Sequence, residues 1–253
     1  MNPSLQVGDV IITPKNIFPL LAEKQMIAPL AREIILDEAI AHIQCTPEET
    51  AIAQQQFFMQ MQLNTEDTEK LKLWLTRNYL TREQLQERIL RGIKLEKYKV
   101  EKWGNQIESY YLKRKRELDK IIYSLIRTKN AGEAQELYFR ISEGEKEFAE
   151  LARQYSQGAE AETGGLIGPV ELTIPHPEIS QKLMTSQPGQ VLPPMRIGEW
   201  IVILRLEKYL AAQLDQNMQR RLLDELFNTW LNEIIQTQVQ LNLQKETVTE
   251  NIE

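Results

Sequence analysis

Apolar residues recur at helical spacing through the first half of the chain. Leu20, Leu21, Met26, Leu30, Ile34, Ile35 and Ile40 repeat as in a helix that buries one face. Thr46-Pro47-Glu48-Glu49 has the form of a helix start, with threonine as N-cap, proline at the first helical position and glutamate at the third. Asn64-Thr65-Glu66-Asp67 predicts a break. Thr81-Arg82-Glu83-Gln84 then opens another capped helix. A long polar helix is predicted from about 82 to 118, passing Leu85, Ile89, Ile93, Tyr98, Trp103, Ile107, Tyr110 and Tyr111. Residues 16–118 therefore read as almost wholly helical, in four or five elements.

The pattern changes at Leu118. Ile121-Ile122-Tyr123-Ser124-Leu125-Ile126 is β-branched and aromatic, and predicts a strand. Ala131 to Glu143 predicts a helix closed by Gly144. A short helix from Phe148 to Tyr155 leads into a polar loop and a double glycine, then a second short helix, a turn and a closing strand from Trp200 to Leu206. Helical spacing returns at Leu210 and lasts to about Leu243. Leu214, Met218, Leu222, Leu226, Trp230 and Ile234 form one stripe, widened by Leu223, Phe227, Leu231 and Ile235. So much apolar surface cannot stand alone in water, so this helix is expected to pack on the N-terminal helices. The tail after Gln244 is polar and expected to fray. The predicted class is α+β: a helical domain over 1–117, an inserted α/β domain over 118–208, and a returning C-terminal helix over 209–253.

Composition narrows the function classes. The 253 residues are 42% hydrophobic and 26% charged, as in an ordinary folded protein. A net charge of -6 argues against nucleic acid as a partner. The basic run Lys113-Arg114-Lys115-Arg116 is interleaved with Glu108, Glu117 and Asp119 and reads as a solvated helix face. One cysteine, Cys45, excludes an internal disulfide and fits a reducing compartment. No stretch reaches the roughly 18 apolar residues of a membrane span. The first residues lack the pattern of a signal peptide, so a cytoplasmic location is expected.

The segment 144–206 carries a family resemblance. FAELARQYS, the GGLIG turn, the PEISQKLM helix, the PGQV turn with its following prolines, and GEWIVILRL resemble the second half of a parvulin-type (PpiC) peptidyl-prolyl isomerase. Asn78-Tyr79-Leu80-Thr81-Arg82-Glu83-Gln84-Leu85 and the helix ending Glu108-Ser109-Tyr110-Tyr111 are similar to the helical part of SurA and PrsA chaperones, in which a module made from both chain ends carries a parvulin domain. More narrowly, the chain resembles a cyanobacterial parvulin-like group linked with peptide export. The resemblance implies a folding helper for unfolded or proline-containing polypeptides, with an exported peptide precursor among the candidate partners and no cofactor.

Parvulins resemble one another in a pocket with two histidines, a cysteine or aspartate, and an apolar floor. Ser-His-Ile-Leu becomes Tyr123-Ser124-Leu125-Ile126 here, placing Ser124 at the first histidine. Gly158 stands at the cysteine or aspartate. The closing Gly-aromatic-His becomes Gly198-Glu199-Trp200, placing Trp200 at the second histidine. All three polar positions are replaced, so weak catalysis is expected, and a non-catalytic adaptor in peptide export or maturation is the alternative. Ile167, Pro175, Ile179 and Met184 are candidates for the apolar floor, with His176 at its edge, and the same apolar residues also read as plain core. Trp200 either fills the space left by histidine or offers a flat face to a proline ring. His42 and His176, the only histidines, have no neighbours at metal-ligand spacing, so no metal is expected.

Overall fold

The computed structural model describes residues 4–62 and 68–239. The predicted break at 64–67 and the end of the predicted C-terminal helix with its polar tail lie outside the described residues. The chain divides into two compact units, one of Met1–Ile107 with Arg220–Glu253, the other of Glu108–Gln219.

The first unit opens with a two-stranded hairpin, β1 (Leu5–Val7) and β2 (Val10–Ile12), which the helical pattern did not predict. Helices follow: α1 (Ile17–Glu23), α2 (Ile27–Ile40), α3 (Pro47–Gln60), α4 (Thr68–Arg77) and α5 (Arg82–Trp103). Both predicted caps form. Thr46 Oγ1 accepts from the Glu49 N–H, and Glu49 accepts in return from the Thr46 N–H at 2.8 Å. Thr81 and Gln84 do the same for α5. The predicted long helix over 82–118 is broken: Gly104-Asn105-Gln106 forms a 3-10 turn before α6 (Ile107–Leu118), since glycine and asparagine are poor helix formers.

The last helix, α10 (Gln216–Gln238), returns to this unit. Trp230 packs against Tyr98 and Trp103 at centroid distances of 5.6 and 5.8 Å, and Phe227 lies 6.2 Å from Trp103. Lys99, 8% exposed, bonds Asp224 at 2.6 Å and Glu96 at 2.7 Å. Burial would lower its ammonium pKa, but the two carboxylates outweigh burial and hold it above the ordinary value. The aromatic cluster and the buried cation fix α10 on α5. The helical module is thus built from both chain ends and carries an inserted α/β domain.

That domain is a four-stranded antiparallel sheet in the order β4-β3-β6-β5. Its central strands, β3 (Lys120–Thr128) and β6 (Trp200–Leu210), are the two apolar runs visible in sequence. The edges, β4 (Leu166–Glu171) and β5 (Val191–Ile197), contain Pro169 and Pro193-Pro194. Proline cannot donate to a ladder, so it belongs at edges, and it hides strand character from a sequence pattern. α7 (Ala131–Ser142) and α8 (Phe148–Tyr155) cover one face around Ile126, Leu137, Phe148, Leu151 and Ile203. α9 (Pro177–Met184) lies with the cluster on the other face, which holds Tyr123, Leu125, Ile179, Leu183, Val202 and Leu204.

Candidate functional site

Strand β3 supplies the site by alternation. Successive residues point to opposite faces, and Tyr123 and Leu125 belong to the α9-side cluster while Ile126 belongs to the α8-side one. Ile167 pairs with Tyr123 across β3 and β4 and packs against the α9-side cluster, as does Trp200 from the start of β6. Ile179, 7% exposed on α9, completes an apolar floor. Pro175 is half-buried just before α9. His176 is exposed and caps that helix, its Nδ1 accepting from the Glu178 N–H at 3.3 Å. Met184 sits at the end of α9 and is 43% exposed.

Ser124, Gly158 and Trp200, the positions that the resemblance aligns with polar groups, are not brought together. Ser124 falls on the α8 side of the sheet, where it donates to Glu207 at 2.5 Å, and Glu207 also accepts from Arg205 Nε at 2.7 Å. Arg205 stacks 5.0 Å from the Phe148 ring in the α8-side cluster. Ser124 is therefore a fixed element of the opposite face, separated from Trp200.

Gly158 is near the floor, and an arginine occupies the space it leaves. A Cβ at position 158 would fall inside the guanidinium of Arg127. Arg127 shares the face of Tyr123 and Leu125 by alternation, and its Cζ lies 5.4 Å from the Trp200 ring centroid. Lys129, two residues on, places Nζ 4.9 Å from the same ring and pairs with Glu199 at 2.8 Å. Behind Arg127 stands Glu160, its side chain 6% exposed, with Oε1 3.0 Å from Arg127 Nε and accepting from Ser156 Oγ at 2.6 Å.

The loop carrying Gly158 and Glu160 is laced to β3. The Gln157 N–H donates to the Arg127 carbonyl at 2.9 Å, and the Leu125 N–H donates to the Gly165 carbonyl at 2.9 Å. Gly165 has φ +85°, and a Cβ there would meet the Leu125 carbonyl oxygen at 2.8 Å, so only glycine closes the loop this tightly. Burial, reinforced by the Glu160 charge, pushes the Tyr123 phenol above its ordinary pKa and keeps it neutral.

Tyr123, Arg127 and Glu160 are thus polar groups on the site face that motif matching did not single out. Two signals were present in the sequence: alternation along β3 puts 123, 125 and 127 on one face, and a glycine at 158 leaves room for a long neighbour.

The helical unit offers a second surface. A groove of about 560 Å³ is lined by His42, Ile43, Gln44, Lys97, Val100 and Glu101 among others. Phe18, Met26, Leu30, Ile34, Ile52 and Met59 are exposed, Met59 by 72%.

Comparison with known proteins agrees with this geometry. Residues 125–208 match the family model described as Rotamase: PPIC-type PPIASE domain. The chain is similar to Chaperone SurA of Shewanella sp. (strain MR-7) and of Shewanella oneidensis, with 32% identity over 105 residues in each case. That match covers 38% of this chain and 24% of the relative, about a quarter of its length. Among solved structures, the PrsA peptidylprolyl isomerase of Bacillus cereus superposes over 97% of this chain and 95% of its own, with a TM-score of 0.50 and 18% identity. The chain carries a parvulin-type domain inserted in a helical module, and the whole shares the fold of that PrsA structure. Among the described residues, no helix is long and apolar enough to cross a membrane.

Proposed function

We propose that the protein is a folding chaperone that holds unfolded, proline-containing polypeptide and isomerises X-Pro bonds slowly. One observation carries this reading. Ile167, Ile179 and Trp200 lie together as an apolar floor on one face of the sheet, with Trp200 half-buried. Isomerisation needs no covalent intermediate. The barrier of roughly 18–20 kcal/mol comes from amide resonance. A site lowers it by gripping the ring, excluding water and fitting the twisted form better than the planar one. The floor supplies the first two effects. The third is left to a neutral Tyr123 on the same face, which supports slow turnover. The exposed apolar side chains of the helical unit supply contact area for unfolded chain.

The competing reading is an adaptor for one partner, which the replaced polar positions favour. Client breadth separates the two. Added at equal concentration, the protein is expected to suppress aggregation of two unrelated denatured proteins, and a proline-rich peptide is expected to compete. Suppression of neither would overturn the chaperone reading and leave the adaptor.

A further inference from the structure

Resting on the proline-site reading above, we propose that Arg127 is the side chain that grips the substrate backbone in this domain. In this assignment its guanidinium, standing in the space left by Gly158, donates to the carbonyl of the residue before proline. Three features support it. The guanidinium lies against the ring that borders the apolar floor, 5.4 Å from its centroid. Its donors outnumber its acceptor: guanidinium has five N–H groups, whereas Glu160 Oε1 is shared with Ser156, and the buried Arg127 Nε lies 3.0 Å from that oxygen without hydrogen-bond alignment. The Arg127 side chain is 34% exposed while that of Glu160 is 6% exposed, so the carboxylate anchors the arginine from behind and leaves part of it open to solvent.

The chemistry explains a site that binds more than it turns over. A donor on the carbonyl oxygen favours the planar, resonant amide, in which that oxygen carries partial negative charge. It therefore adds to ground-state binding without lowering the twisting barrier. Arg127 takes over contact with the peptide from the family's polar groups and does not reproduce their catalysis.

The test uses the full chain and a short Ala-Pro peptide, with affinity read by calorimetry and turnover by exchange spectroscopy. Arg127→Gln is expected to weaken binding about tenfold, the loss of one charge-assisted hydrogen bond, with the saturated exchange rate unchanged or raised, because the donor that favours the planar amide is gone. Gly158→Ala keeps the arginine but pushes its guanidinium out of place, and is expected to weaken binding to a similar degree. Arg127→Lys, a point charge without the fork, is expected to restore only part of the affinity. If wild type binds and both Arg127→Gln and Gly158→Ala bind equally well, the assignment of Arg127 is overturned while the proline site stands. If wild type binds no peptide, the proline-site reading falls and takes this assignment with it.

Discussion

Replacing Phe148 with alanine is expected to cost about 3–5 kcal/mol, the range for a large aromatic removed from a closed core. Phe148 is fully buried at the start of α8, packed among Ile126, Leu137, Leu151 and Ile203. Arg205 stacks on its ring, and the Gly165 backbone approaches so closely that an added Cβ would lie 3.1 Å from Phe148 Cε1. Neither a β-strand nor a laced loop can collapse into the space a missing ring leaves, so little of the cavity refills. The melting transition of the inserted domain should drop by at least about 12 °C, with the denaturation midpoint shifted and the slope unchanged. A loss below about 1 kcal/mol would show that the core around α8 is looser than described. The effect reaches the site, because α8 leads directly into the loop that holds Gly158 and Glu160.

Asp119→Ala is expected to destabilise the inserted domain by about 1.5–3 kcal/mol, since it removes a buried carboxylate that collects three hydrogen bonds. Asp119, 4% exposed, sits between α6 and β3. It accepts from Tyr209 Oη, from the Ala212 N–H at 2.7 Å and from Lys115 Nζ at 3.3 Å. It therefore joins the beginning of the domain to the segment that leaves β6, and Tyr111 adds a bond to the Ala212 carbonyl. Burial alone would raise the carboxyl pKa. The bonds from Tyr209, Ala212 and Lys115 outweigh burial and hold it below the ordinary value. Burial and the Asp119 charge push the Tyr209 phenol up to about 12. A depressed carboxyl favours the folded state fully above the ordinary aspartate pKa of about 3.9, and that contribution disappears as pH falls through the lower folded value. Wild type should lose this share of its stability only in the acid range below about 4, and the alanine variant should lack that share of the acid dependence. Equal acid profiles for the two proteins would contradict the role assigned to Asp119.

Much of this architecture is legible in the sequence, for physical reasons. The caps at Thr46 and Thr81 are local and chemical. The stripe on α10 is wide enough to demand cover, and β3 and β6 are central strands rich in β-branched and aromatic residues. The edge strands are hidden by the prolines that edges tolerate, and the hairpin at 5–12 is too short to establish a period. The break at Gly104 interrupts a stretch whose polar-apolar spacing continues on both sides.

The site was harder to read because it depends on register. β3 carries an irregularity beside Tyr123 in its pairing with both neighbours. A one-residue offset moves a side chain to the other face of a sheet. Ser124 aligns with a family histidine by motif yet lies on the α8 face, while Tyr123 and Arg127 hold the site face. That Ile167, Ile179 and Trp200 pack on one face was easier to anticipate, because large apolar side chains in strands and helices bury together. The role of Gly158 was not, since a glycine in a motif says nothing of which distant side chain fills its place.

The claim that a proline ring lies on the floor of Ile167, Ile179 and Trp200 is tested most directly by exchange spectroscopy of an X-Pro peptide with wild type and Ile179→Ala. Slow but measurable acceleration by wild type, lost in the Ile179 variant while its fold is retained, is the expected result. Acceleration that survives Ile179→Ala unchanged, or none from wild type at high concentration, would contradict it.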